Sequence, residues 1–178
     1  MKIPDKPPPS HGSEEERRDL IGVIRQYKNR KVPEELQKNC DEDMSSIFAD
    51  YIMSNGMNYN KPFFDKVHNG LRQIVRKMKK YYDRPRPKEV ASHYGIDFPG
   101  DDLDTAQSPS YPSGHTIQAY VQAILLSDMF PGHTDQLMRI AEMISQSRID
   151  RGVHFPSDVD FGRQVAYLIV RELLDGSA

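Results

Sequence analysis

Two charges stand where a helical sequence calls for core residues, and this limits what the chain can become. Apolar residues recur at Leu137, Ile140, Ala141 and Ile144, the spacing of one helix face, and the next position on that stripe is Arg148. A second stripe, Gly162, Val165, Ala166, Ile169 and Leu173, runs back to Asp158. His154 lies at the turn between the two segments. A guanidinium and a carboxylate on inward faces are costly to bury without partners. Either Arg148 and Asp158 form a structural ion pair beside a satisfied histidine, or the stretch from Ser147 to Asp158 is a site.

A chain of 178 residues is long enough for one domain with its own core. Its formal net charge of −2 gives no global attraction for a polyanion, so no nucleic acid is expected as partner. The apolar-rich runs at 117–130 and 165–174 are broken by polar and charged residues and do not read as membrane spans. The first ten residues lack the apolar segment of a secretory signal. The single cysteine, Cys40, has no internal partner, which suits a reducing compartment. The expectation is a cytoplasmic protein with no transmembrane segment, homo-oligomerisation being left open.

Residues 1–12 are Pro-rich and polar and read as a flexible arm ahead of a single domain over 13–178. Ser13 and Glu16 form a capping-box pattern that opens a helix to about Arg30. Pro33 suits the first turn of a second helix reaching about Ser54. Asn60 and Pro62 open a third, whose stripe is Phe64, Val67, Leu71, Ile74, Val75, Met78 and Tyr82. The Arg84-Pro85-Arg86-Pro87 run ends it. Residues 88–114, with Gly95, Pro99-Gly100, three aspartates, Pro109 and Pro112, read as one long irregular loop. Three more helices follow, at about 115–130, 134–150 and 156–175. The fold class expected is all-α, a bundle of about six helices with a long loop between the third and fourth.

Three clusters carry chemistry. The first is basic, from Arg72 through Lys88. Most of it reads as a solvated face, but Lys77 and Lys79 flank the apolar stripe on either side, and periodicity does not choose between them. The second is Ser110-Tyr111-Pro112-Ser113-Gly114-His115, at the entrance to the fourth helix. Gly114 permits close backbone approach, and a helix start presents free N–H groups to an anion. His115 lies on the inner stripe with Ala119, Ala123 and Leu126. The third cluster is the opening stretch. Together they supply cations, backbone donors, two imidazoles and a carboxylate. The other histidines show no metal-ligand spacing. This is an inventory for phosphoryl transfer through a histidine nucleophile, with no metal and no cofactor.

The motifs stand as Lys79-x6-Arg86-Pro87, Pro112-Ser113-Gly114-His115 and Ser147-Arg148-x5-His154-x3-Asp158. In order and spacing they resemble the three motifs of the type 2 phosphatidic acid phosphatase superfamily. Lys77-x6-Arg84-Pro85 also satisfies the first pattern. The later pair is preferred because similar family members often read Arg-x-Arg-Pro with the last Arg in the site. Within the superfamily the sequence is most similar to the soluble class A acid phosphatases. It departs from them in showing no export signal, and from the membrane lipid phosphatases in having no spanning helices. The motifs do not cover the first 60 residues.

The resemblance implies a metal-independent phosphomonoesterase acting on a small phosphorylated substrate. It implies His154 as nucleophile, Asp158 as the group that orients it, and His115 as general acid and then base. Lys79, Arg86 and Arg148 would hold the phosphoryl oxygens, with Ser113 and the Gly114 amide adding donors. It implies no metal and no cofactor, although vanadate could bind as a phosphate mimic. A vanadate-dependent haloperoxidase on the same pocket and a lipid-phosphate phosphatase are the alternative enzymes, the loop at 88–110 setting the latter choice. A non-enzymatic anion- or nucleic-acid-binding module using Lys77 to Lys88 would leave Asp158 and the two inward histidines unexplained.

Overall fold

The computed structural model describes residues 5–176, and its regular structure is helical throughout. Eight α-helices are present among them: α1 (Glu14–Lys28), α2 (Glu34–Glu42), α3 (Met44–Ser54), α4 (Lys61–Tyr82), α5 (Pro87–His93), α6 (Gly114–Met129), α7 (Thr134–Asp150) and α8 (Pro156–Asp175). Short 3₁₀ turns lie at Asp104–Ala106 and Pro131–His133. The all-α class stands, but six helices become eight.

Two local reasons account for the difference. The expected helix from Pro33 to Ser54 is divided at Asp43, whose φ of −146° and ψ of 62° leave the helical region. Its carboxylate accepts from the Ser46 amide at 3.3 Å, so it caps a new helix. Helix α4 ends at Tyr82, capped by Asp83 in the left-handed region, and the expected irregular loop then begins with α5, because Pro87 starts a helix. Its ring sits in the first turn, and the Glu89 carboxylate accepts from the Arg86 amide at 2.8 Å.

Helix α6 buries Ile117, Ala119, Tyr120, Val121, Ala123 and Leu126, almost every side of its length, and so takes the centre with α7 and α8 packed along it. The larger core joins α6, α7 and α8 to α3 and α4. A smaller cluster of Leu20, Val23, Val90, Ala91, Phe98, Ile149, Phe155 and Val159 brings α1 and α5 over the α7–α8 turn. The turn carrying His154 is therefore held between two cores. Gly162 lets α8 approach the start of α6: a Cβ there would lie 3.0 Å from the Ser113 carbonyl oxygen. Helix α2 is anchored to the end of α7, where the Asp150 carboxylate accepts from the Lys31 and Val32 amides at 2.7 and 2.8 Å.

Residues 1–4 of the Pro-rich arm lie outside the described residues. Beyond them, the Tyr111 hydroxyl donates to the Lys6 carbonyl at 2.8 Å, and Lys6 Nζ donates to Gln164 at 3.1 Å. No helix among the described residues is long and apolar enough to cross a membrane.

Candidate active site

The first turn of α8 builds the back of the site. Asp158 sits at its third position, fully buried, and one carboxylate oxygen accepts from the Phe155 amide at 2.9 Å and from His154 Nδ1 at 3.1 Å. One residue thus starts the helix and orients the imidazole. Because a carboxylate only accepts, Nδ1 holds the ring proton and Nε2 carries the lone pair. Arg86 approaches that lone pair at 3.1 Å and also donates to the carbonyls of Val153 (2.6 Å) and Ser108 (2.8 Å).

Arg148 and Asp158 do not pair, contrary to the simplest structural reading. Asp158 accepts from Arg84 at 2.6 Å and from the Ser110 hydroxyl. Arg84 also donates to Asp19 at 2.9 Å and stacks on Phe155 at 3.7 Å. Arg148 instead meets Asp41 of α2 and, at 3.2 Å, the Thr105 hydroxyl. Arg148 is fully buried and stands behind Asp41 and Thr105, which line the central cavity.

The choice between the two lysines is geometric. Lys79 is buried, donates to the Pro109 carbonyl and lines the central cavity, whereas Lys77 is exposed. The same cavity, about 520 Å³, is lined by Arg86, Gly114, His115 and His154. Arg84, the other candidate arginine, belongs to the network behind Asp158. Ser113 is fully buried, and its hydroxyl accepts from the Thr116 amide at 3.4 Å as the cap of α6 and from the Thr116 hydroxyl at 2.9 Å. The amides of Gly114 and His115 belong to the first turn of α6, where an α-helix cannot satisfy its own N–H groups. His115 donates through Nε2 to the Asp41 carbonyl at 2.9 Å and has the Asp41 carboxylate at 3.8 Å.

Asp41 is thus the central residue that sequence reasoning missed. The signal was there: Gln37, Cys40, Asp41 and Met44 form the buried face across α2 and the start of α3, so Asp41 is a charge on an inward stripe, like Arg148. Thr105 and Asp19 gave no comparable signal.

The electrostatics follow from packing three cations around two imidazoles. Burial, and then the charges of Arg86, Lys79 and Arg148, hold His154 well below the usual imidazole value. His115 is lowered by burial and by Arg148, against the opposing pull of Asp41. Burial and the nearby Arg86 bring Lys79 down to about 7. Burial alone would raise the Asp41 carboxyl, but the charge of Arg148 and the hydrogen bonds from Thr105 and Arg148 hold it below its ordinary value. A doubly charged oxyanion entering this field would offset the excess of positive charge. The arrangement can therefore bind a tetrahedral anion beside a neutral imidazole nucleophile.

Comparison with known proteins agrees with this chemistry. The model of the PAP2 superfamily matches residues 67–175. The chain is 30% identical over 172 residues to the non-specific acid phosphatase of Salmonella typhimurium, covering 89% of this chain and 67% of that protein. It is 27% identical over 165 residues to the acid phosphatase of Zymomonas mobilis, covering 88% and 62%. In fold it resembles the crystal structure of a transmembrane PAP2 type phosphatidylglycerolphosphate phosphatase from Bacillus subtilis. There the TM-score is 0.61 at 21% identity, over 93% of this chain and 89% of that one.

Proposed function

The chain belongs to the PAP2 superfamily, and from that premise we propose that it is an acid phosphatase-like phosphomonoesterase working through a phosphohistidine, without a metal. The observation that carries this reading is His154 itself: buried, its Nδ1 proton held by Asp158 and its Nε2 lone pair beside Arg86. His154 Nε2 attacks phosphorus, the bond to the leaving oxygen breaks, and His115 protonates that oxygen. The Asp41 carbonyl keeps the proton on His115 Nε2, so Nδ1 is the atom that gains and gives one. Water then attacks the phosphohistidine, His115 takes its proton, and the P–N bond breaks to release phosphate. Lys79, Arg86 and Arg148 bear the charge on the phosphoryl oxygens, and the first amides of α6 add donors. Asp158 keeps the nucleophile in its tautomer and steadies the ring as it becomes charged.

The test is hydrolysis of p-nitrophenyl phosphate in the presence of a chelator, with trapping of an acid-labile phosphoprotein. Turnover should resist the chelator and fall by more than about 10³-fold in His154→Ala, with the trapped phosphoryl group lost. A folded wild type without turnover, or a variant that keeps the phosphoprotein, would overturn the assignment.

A further inference from the structure

The cavity does not end at the phosphoryl cradle. It continues along α4, where Arg76, Arg72 and His68 line it on the same face as Lys79. At 1.5 Å rise per residue, Arg76 stands about 4.5 Å and Arg72 about 10.5 Å along the axis from Lys79. We infer that this extension is a second anion subsite, so that the preferred substrate is a phosphate monoester whose leaving group carries a further phosphate or phosphodiester. The inference rests on the phosphomonoesterase reading and names its substrate class.

Three observations carry it. First, neither Arg72 nor Arg76 forms an ion pair among the described residues. Arg72 donates only to Asn69 of its own helix, at 3.1 Å. Lys61, further along the same wall, is by contrast neutralised by Asp65 at 2.7 Å. Secondly, Arg72 and Arg76 are four residues apart, so two like charges repel on one face, and an anion between them removes that repulsion. Thirdly, His68 is 5% exposed and its buried Nε2 has no partner among the described residues. Its other nitrogen lies 3.3 Å from the Ser45 hydroxyl, which donates to Gln122 at 3.3 Å, and Gln122 donates to the Tyr59 hydroxyl at 2.7 Å. A built polar network thus holds an unsatisfied ring at the far end of the cavity. Burial and then Arg72 lower His68 to about 4, so the ring is neutral and leaves Arg72 and Arg76 as the cations of this end. Asp41, Glu42, Asp43 and Asp65 line the cavity as well, but Asp41 is paired with Arg148 and Asp65 with Lys61, which leaves the α4 arginines as the cations open to a second anion. The spacing suits an anion joined to the transferred phosphate by a short linker, and a planar guanidinium pairs with phosphate oxygens in bidentate fashion.

The experiment compares trimethylene bisphosphate with the corresponding monophosphate, and p-nitrophenyl phosphate with both. Wild type should favour the bisphosphate over the monophosphate by about tenfold or more in kcat/KM at low salt, with the ratio shrinking as salt is raised. In Arg72→Ala/Arg76→Ala the ratio should fall to within about threefold of unity. Both side chains are exposed, so the double variant is expected to fold, and circular dichroism checks this. A short-chain lipid bearing a phosphate monoester and a phosphodiester in one headgroup separates the sources. Preference for it assigns the second anion to a lipid headgroup, and preference for the soluble bisphosphate assigns it to a small metabolite. Turnover of p-nitrophenyl phosphate with no preference between bisphosphate and monophosphate would overturn the subsite alone, as would a double variant that keeps the preference. A folded wild type inactive on every substrate overturns the phosphatase reading, and this inference with it.

Discussion

Two buried Arg–Asp pairs flank the site, and they differ in what surrounds them. Arg84–Asp158 is closed: Asp19, Ser110, Ser157, the Phe155 amide and the Phe155 ring leave it no face toward the cavity. Arg148–Asp41 is open: Asp41 lines the cavity and His115 stands beside it. The closed pair fixes Asp158, which orients His154, and the open pair borders the cavity through Asp41. Charge type and burial do not separate the two. The number of partners does.

Removing the arginine of each pair tests this most severely. Arg84→Ala leaves Asp158 and Asp19 without their cation and should cost about 3–5 kcal/mol of stability, read by urea unfolding. Arg148→Ala should lower kcat/KM by about 10²–10³, since in the proposed mechanism it bears charge on the phosphoryl oxygens, and at a smaller cost in stability, since Asp41 keeps Thr105 and lines the cavity. If the variants exchanged effects, the distinction between closed and open pairs would be wrong.

Asp41→Asn sharpens it. Its negative charge competes with phosphate for Arg148 and supports the proton on His115. The neutral variant should bind inorganic phosphate more tightly, by about three- to tenfold, while kcat falls. Inhibition constants and kcat measured together check the split, and unchanged phosphate affinity would show that Asp41 only shapes the wall.

The pH profile gives a gentler probe of the same field. His154 lies below 6.5, so the nucleophile stays neutral in mild acid. Lys79, near 7, loses its charge in the free enzyme as pH rises through that value. KM for a phosphate ester should therefore rise above pH about 7, and kcat should change less because a bound dianion keeps Lys79 protonated. A KM that stays flat from about pH 6 to about pH 9 would remove Lys79 from the oxyanion set. The smallest effect belongs to exposed Lys77, whose replacement by Ala should shift stability by no more than about 0.5 kcal/mol.

Much of the site was legible because its parts break helical periodicity locally. Arg148, Asp158 and His115 announce themselves as polar residues on apolar stripes, and the residue spacings place them at helix ends. The choice between Lys79 and Lys77 was not legible from periodicity, since both flank the stripe. Burial decided it. Asp19 was missed because it meets Arg84 and Ser157 across 65 and 138 residues of sequence, and no local pattern encodes a contact of that range. The helices divided at Asp43 and begun at Pro87 were misread for a different reason. Asp43 ends one helix and caps the next, and Pro87 opens a helix where a proline run reads as a break, so the sequence pattern shows only the interruption.

The wall at Asp41–Ser45 lies outside the stretch at 67–175 that carries both histidines, Lys79, Arg86 and Arg148. Reaction chemistry and much of the opposite wall of the cavity therefore belong to separate parts of the chain, meeting only in three dimensions. Such a layout lets one part diverge while the other is held fixed. Kin that share the same bond-breaking apparatus can differ in what they admit to it, through changes confined to a short segment near the beginning of the chain.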